Sequence, residues 1–363
     1  MSIYISNSEM NKKRQNQVQT NKHVVHKLSL LFIVNLLLVS CSPNDDLIPL
    51  VVFVNGQSMS KLPFVIAADQ GLFEKYGVAV ELKMSDPEFE GGKQPVAPFF
   101  TRVRRRLGFI EYPEIDITVT GHTPTMHRRV NLAIAPKQIA LASTDCAIRY
   151  YVVVRPGIDS LEDIKGKRIG INRVGTTSAF AAFRLVERMG WDPQFDVSFL
   201  QEGRGIENLM NERVDVVVGG DLAFEEATRE GFRILEDTRT WGEELAGNSV
   251  LVNIGWLEQG TNREAARRFL QAVLEGLSIF HQQPELALDV AMRWYATPDL
   301  ATAKGRFDRA DYVPKKPYPC YEGIANTIRI YDSHEMRQYE AEDFYDDSLL
   351  RELDASGFID DLY

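Results

Sequence analysis

Residues Lys167–Gly190, KRIGINRVGTTSAFAAFRLVERMG, pass from one structural period to another within a few positions. Arg168-Ile169-Gly170-Ile171 has the short apolar character of a buried strand. From Ser178 to Met189, apolar residues return at helical spacing, with Ala179, Ala182, Phe183, Val186 and Met189 on one face, and Gly190 supplies the stop. A glycine-hydroxyl loop, Gly175-Thr176-Thr177-Ser178, joins the two. A strand, a short loop and an amphipathic helix in that order form half of a β-α-β unit. Such units build parallel sheets covered by helices, because the crossover helix must lie on a sheet face.

The same grammar extends in both directions. Leu50 to Val54 is an apolar strand closed by Asn55-Gly56, Leu62 to Lys75 is helical up to Gly77, and Val78 to Leu82 alternates as a strand. Ile115 to Val119 alternates likewise, and Val197 to Leu200 and Val214 to Val218 are further strands. Thr261-Asn262-Arg263-Glu264 has capping-box spacing and opens a helix whose buried face is Phe269, Val273, Leu277 and Phe280. One internal echo stands out. Ile115-Asp116 with Gly121 and Val214-Asp215 with Gly220 share an apolar-Asp-strand-glycine-helix order, as if one unit served two lobes.

The amino-terminal region has a different composition. Lys12, Lys13, Arg14, Lys22 and Lys27 precede the apolar run Leu28 to Val39, which leads into Leu38-Val39-Ser40-Cys41. That order of charge, apolar run and small residue resembles a bacterial lipoprotein signal, and the resemblance implies cleavage before Cys41 and acylation there. The run is shorter than the roughly 20 residues of a spanning helix, and Asn35 interrupts it. Residues 1–40 are read as the signal and 41–47 as a lipidated tether, so the chain is expected to work outside the cytoplasm, held to a membrane through Cys41 alone.

The full chain carries a net charge of −10. Beyond residue 40 there remain 36 basic and 50 acidic residues, a balance of −14 that argues against nucleic acid as a partner. Some 320 residues exceed what one core organises, which points to two lobes. Cys146 and Cys320 could pair in an oxidising compartment, but nothing in the sequence brings them together, and two buried thiols are the favoured reading. No CxxC or HExxH occurs, so neither a metal nor a cofactor is expected. Arg102, Arg104, Arg105 and Arg106 read as solvated surface or a docking patch, and Trp191, Trp241, Trp256 and Trp294 as core.

Several stretches together resemble a known family. Pro63 to Ala67 followed by Gly71-Leu72-Phe73-Glu74-Lys75-Tyr76-Gly77-Val78 is similar to the opening of ABC-transporter solute-binding proteins of the nitrate/sulfonate/taurine, or thiamine-precursor-like, type. Ser160 to Gly170 resembles the segment with which such proteins open their second lobe, and Arg213 to Val218 and Gly231 to Leu235 fit the same scheme. The likeness runs from about residue 48 to 300. It implies an α/β type 2 periplasmic-binding-protein clamp with residues 48–152 and 253–363 in lobe 1 and 153–252 in lobe 2. The chain would cross near Tyr151 to Arg155 and return near Asn248 to Asn253. The part from Ala303 onward lies outside the likeness, and its Arg306 to Pro319 stretch and acidic tail read as an added surface element.

Open parallel sheets take ligands beyond the carboxyl ends of their strands. That rule selects Gln57, Ser58 and Ser60 after the first strand; Gly121, His122 and Thr123 after the strand at 115; Gly175, Thr176, Thr177 and Ser178 after the strand at 168; and Asp221 after the strand at 214. The 175–178 loop, with hydroxyls and a helix amino end, suits a carboxylate, sulfonate or phosphate, against the plainer reading of Thr176 to Ser178 as a helix cap. The family resemblance implies a monomeric, non-enzymatic receptor that hands a small, anionic organic solute to an ABC permease and its ATPase. Two alternatives remain, an enzyme built on the same fold or a sensory receptor. Export argues against the enzyme, as does the absence of the cysteine- and histidine-rich motif of pyrimidine-synthesising relatives.

Overall fold

In the computed structural model the described residues are 47–84, 115–135, 137–201, 205–295, 297 and 299–363, and those from residue 48 onward form one compact unit. The expected signal, Cys41, the tether to residue 46 and the Arg102–Arg106 cluster lie outside the described residues. The first elements are β1 (Ile48–Val54), α1 (Leu62–Asp69), α2 (Leu72–Lys75), β2 (Val78–Met84), β3 (Ile117–Gly121), α3 (His122–Val130), β4 (Gln138–Ser143) and β5 (Tyr151–Val154). Next come β6 (Arg168–Gly170), α4 (Thr177–Arg188), β7 (Ser198–Leu200), α5 (Glu207–Met210), β8 (Val216–Gly219), α6 (Asp221–Glu230) and β9 (Arg233–Asp237). The chain closes with β10 (Asn248–Asn253), α7 (Ile254–Leu257), α8 (Asn262–Gln282), α9 (Pro284–Trp294), α10 (Leu300–Asp308), α11 (Tyr321–Ile330) and α12 (Ser348–Ala355).

The strands form two five-stranded sheets of equivalent order, β2-β1-β3-β10-β4 and β7-β6-β8-β5-β9. In each, the first three strands are mutually parallel, and the fourth runs antiparallel to both of its neighbours. The reversed strand is in each case the one that arrives from the other sheet, without a crossover helix on its own sheet to turn it around. The two-lobed, mostly parallel α/β expectation therefore holds.

The internal echo has a physical basis. The Asp116 carboxylate accepts from the Val51 amide at 2.8 Å, while the Asp116 amide bonds the Val51 carbonyl. Asp215 treats Arg168 in the same way, its carboxylate accepting from the Arg168 amide at 3.0 Å. In both sheets the aspartate stands one residue before a parallel strand, β3 or β8, and ties it to the neighbouring strand, β1 or β6.

Helix α1 is almost wholly buried, with Leu62 through Ala67 enclosed. It lies under α8, whose Phe269, Val273, Leu277 and Phe280 are buried as its periodicity predicts. The two helices touch backbone to backbone, since a Cβ on Gly276 would stand 2.4 Å from the Pro63 carbonyl oxygen. Two local expectations need correction. The helix foreseen from Leu62 to Lys75 breaks at Gly71, whose φ of +67° the helix cannot carry. The capping box at Thr261 does not form. Its side chain makes no cap bond, and Glu264 turns to Arg268 at 2.8 Å.

Strand β5 lies wholly in the second sheet and β10 wholly in the first, so the chain changes sheet a few residues away from the expected positions, over 144–150 and 238–247. The two crossings run side by side. The Thr144 amide bonds the Asn248 carbonyl and the Leu245 amide bonds the Cys146 carbonyl.

The carboxyl-terminal part is no surface addition. Tyr312 and Tyr318 pack against the first sheet's core, which includes Val313. Ile324, Tyr331, Met336 and Phe344 then enter the second sheet's core, and α12 returns to the first. A disulfide joins Cys146 in the first crossing to Cys320 at the start of α11, which corrects the favoured reading of two free thiols. Residues 174 apart meet only because the terminal segment is laid across the crossings. Among the described residues no helix is long and apolar enough to cross a membrane.

Candidate functional site

The carboxyl ends of the parallel strands in both sheets converge on the crossings. From the first sheet come the segments after β1, β3 and β4, and from the second those after β6, β8 and β9. Ser60, fully buried, accepts from the Asn248 amide group at 2.7 Å, and its hydroxyl meets that of Ser58 at 3.0 Å. The Ser58 carbonyl takes the Tyr295 hydroxyl at 3.0 Å. Gln57 is half-buried beside them in sequence.

The 175–178 loop is held by protein groups. Gly175 has φ +87°, and a Cβ there would stand 2.1 Å from the His127 ring on α3. Thr176 is the N-cap of α4: its hydroxyl accepts from the Ala179 amide at 3.3 Å and donates to the Arg173 carbonyl at 2.8 Å. The Thr176 carbonyl accepts from the Tyr331 hydroxyl at 2.7 Å, and the Thr177 hydroxyl accepts from Tyr150. Ser178 is buried, with its hydroxyl 3.3 Å from that of Thr176. These bonds describe a helix cap packed against Tyr150, Tyr331 and α3 within the second sheet's core.

The amino end of α3 is spent in a similar way. The His122 amide donates to the Gly247 carbonyl and the Thr123 amide to the Ala246 carbonyl, each at 2.7 Å. Thr123 is buried, its hydroxyl 2.8 Å from that of Thr327 on α11. The His122 ring is buried edge-on to Phe344, and burial, with Arg129 nearby, lowers its pKa to about 3, so it is a neutral core group. Gly121 sits where a Cβ would meet Pro124 at 3.3 Å and Thr177 at 3.6 Å, so the two loops are in contact.

Asp221, the first residue of α6, is the predicted residue that meets a concentration of charge. Its carboxylate stands 3.7 Å from Arg149 Nη1 and 3.6 Å from Arg309 Nε. The Arg149 guanidinium is paired with Asp145 at 2.5 Å and lies 3.6 Å over the ring of Tyr312. Burial alone would disfavour its charge, but Asp145, Tyr312 and Asp221 raise its pKa and hold it as a cation. Tyr312 also lies beside Ser60, which places this cluster next to the loop after β1. Arg309 lies 4.9 Å over Phe224, and Arg306 makes a two-point pair with Glu225 at 2.7 Å. Residues from the first crossing, the second lobe and the carboxyl-terminal segment thus share one ionic network.

Sequence reasoning missed Asp145, Arg149, Arg309 and Tyr312. A signal for Asp145 was present. Gln138 to Ser143 is apolar enough to be a strand, and the strand-end rule would then have pointed to Thr144 and Asp145. No comparable signal marked Arg149, Arg309 and Tyr312, which reach the site only through tertiary packing.

Residues 147–287 match the family model described as NMT1/THI5 like. No curated protein matches the chain. Among solved structures, the periplasmic aliphatic sulphonate binding protein SsuA from Escherichia coli aligns at TM-score 0.58 with 16% identity, over 78% of this chain and 91% of its own. The periplasmic nitrate-binding protein NrtA from Synechocystis aligns at TM-score 0.62 with 13% identity, over 87% and 91%. A putative sulfonate ABC transporter periplasmic protein from Methylobacillus flagellatus aligns at 0.61 with 17% identity, over 86% and 97%. At these identities the likeness establishes the periplasmic-binding-protein fold, as the resemblance in the sequence implies.

Proposed function

We propose that this protein is an extracytoplasmic receptor that takes a small solute between its two lobes and delivers it to an ABC permease. The observation that carries this reading is the convergence of both sheets' strand ends on one half-buried, charged network spanning the crossings. Fold alone does not assign a function. Buried ionic groups are costly to maintain unless each has a partner, and a binding cleft is one place where that cost is repaid. The NMT1/THI5-like match and the nitrate- and sulphonate-binding neighbours support the same class. In this reading the lipid on Cys41 keeps the receptor at a membrane surface, and the two adjacent crossings serve as the hinge.

Two measurements test the reading. Mass spectrometry of small molecules released from gently purified full chain should identify a retained solute. Small-angle scattering should show a smaller radius of gyration when that solute is added back. No retained solute, together with unchanged scattering across a panel of candidate solutes, would remove the receptor assignment.

A further inference from the structure

We propose that the solute's anionic group is held between Arg149 and Arg309, taking the place of the Asp221 carboxylate. The proposal rests on the receptor reading and adds to it the residues that select the ligand.

The geometry is that of an unsettled ion cluster. Asp145 occupies the Nε and Nη2 edge of Arg149, at 3.3 and 2.5 Å, and leaves Nη1 facing Asp221. At 3.7 Å that contact is beyond hydrogen-bond length. On the other side of the same carboxylate, Arg309 Nε is buried and has no hydrogen-bond partner among the described residues, with the nearest Asp221 oxygen at 3.6 Å. Two guanidinium donors from separate parts of the chain therefore converge on one carboxylate, and neither is hydrogen-bonded to it. A carboxylate or sulfonate offers oxygens at the spacing that a guanidinium fork accepts.

Exchange of one anion for another leaves both guanidinium groups facing an anion throughout, so no uncompensated charge is created. Asp221 has somewhere to go. It is the first residue of α6, where the helix amino end favours a negative side chain. The two-point Arg306–Glu225 pair can keep α10 docked on α6 while Asp221 turns. Tyr312 under Arg149 and Phe224 under Arg309 supply apolar walls for the organic part of the ligand. The helix ends expected to do this work are already committed, α3 to the returning crossing and α4 to its own cap.

The test uses the full chain, with methanesulfonate and acetate as anion probes and tetramethylammonium as the cation control, titrated calorimetrically at constant ionic strength. Wild type should bind an anion probe and not the cation. Arg309→Gln should weaken the anion at least 10-fold, and Asp221→Asn should tighten it about 10-fold by removing the competing charge. Arg309 is partly exposed, so its variant is expected to fold, and a thermal melt checks this. Absence of anion binding by wild type, or equal affinity in both variants, overturns the proposal. If the solute recovered by mass spectrometry rebinds both variants like wild type, the receptor reading stands and this site falls. If the probes follow the predicted pattern while no solute is retained and no closure occurs, the site stands and the receptor reading falls.

Discussion

His122 and Thr176 show how a single residue's surroundings decide its role. The imidazole of His122 is buried against Phe344, and burial depresses its pKa from the usual 6.5 to about 3. As pH falls below about 6.5, the unfolded chain takes up a proton that the folded chain refuses. The stability this group contributes is therefore complete above that pH and is lost progressively as pH falls toward 3. The expected slope is about 1.4 kcal/mol per pH unit for one proton. Urea unfolding at pH 7.5, 6 and 5 should show the wild type losing stability faster than His122→Gln; parallel curves would refute the assignment. Thr176 has the geometry of a cap, so Thr176→Val should cost about 1 kcal/mol in a thermal melt and leave solute affinity unchanged. A large loss of affinity without loss of stability would return the hydroxyl to the binding site.

At the scale of elements, the paired aspartates before β3 and β8 are the clearest shared device. Each carboxylate accepts from a backbone amide of the neighbouring strand, β1 or β6, and Asp215 also takes the Arg168 side chain at 2.9 Å. A hydrogen bond to a charged group contributes roughly 1.5–3 kcal/mol. Asp116→Ala and Asp215→Ala should each destabilise by about that amount, and additively, because the two sites lie in different sheets. Denaturant midpoints of the two single variants and the double variant measure this. The Arg168 bonds hold the Asp215 pKa near 2 against burial, so its contribution is present above about pH 4 and disappears as pH falls through 2. Between helices, Gly276→Ala would press a methyl into the Pro63 carbonyl, and overpacking of that kind costs about 1–3 kcal/mol.

At the scale of the whole molecule, the terminal segment works as a strap. It leaves the first core, crosses the two linking segments, enters the second core through α11 and returns with α12. The Cys146–Cys320 bond pins that strap to the crossing and closes a loop of 174 residues. Chain-entropy arguments give about 5 kcal/mol for a loop of that size. Cys320→Ser, or reduction of the wild type, should therefore lower the melting temperature clearly. A melt that does not respond to reductant would mean that the bond adds little to packing already in place.

What the sequence determined by itself was local and periodic. Strand and helix patterns, glycine stops and the repeated apolar-Asp order are properties of neighbours along the chain, and they were enough for a two-lobed, mostly parallel α/β reading. The strand-end rule also selected Ser60 and Asp221, which the fold places beside the crossings, from position alone. Tertiary structure decided the rest. Whether a helix amino end is free depends on which distant carbonyls reach it, and Ala246 and Gly247 reach α3 from more than a hundred residues away. Whether a thiol is paired, and whether Arg309 and Tyr312 face solvent or Asp221 and Arg149, depends on a strap whose path has no period to betray it. Hydrophobic patterning records which face of an element is buried; it carries no information about which charged side chains from remote segments will meet there.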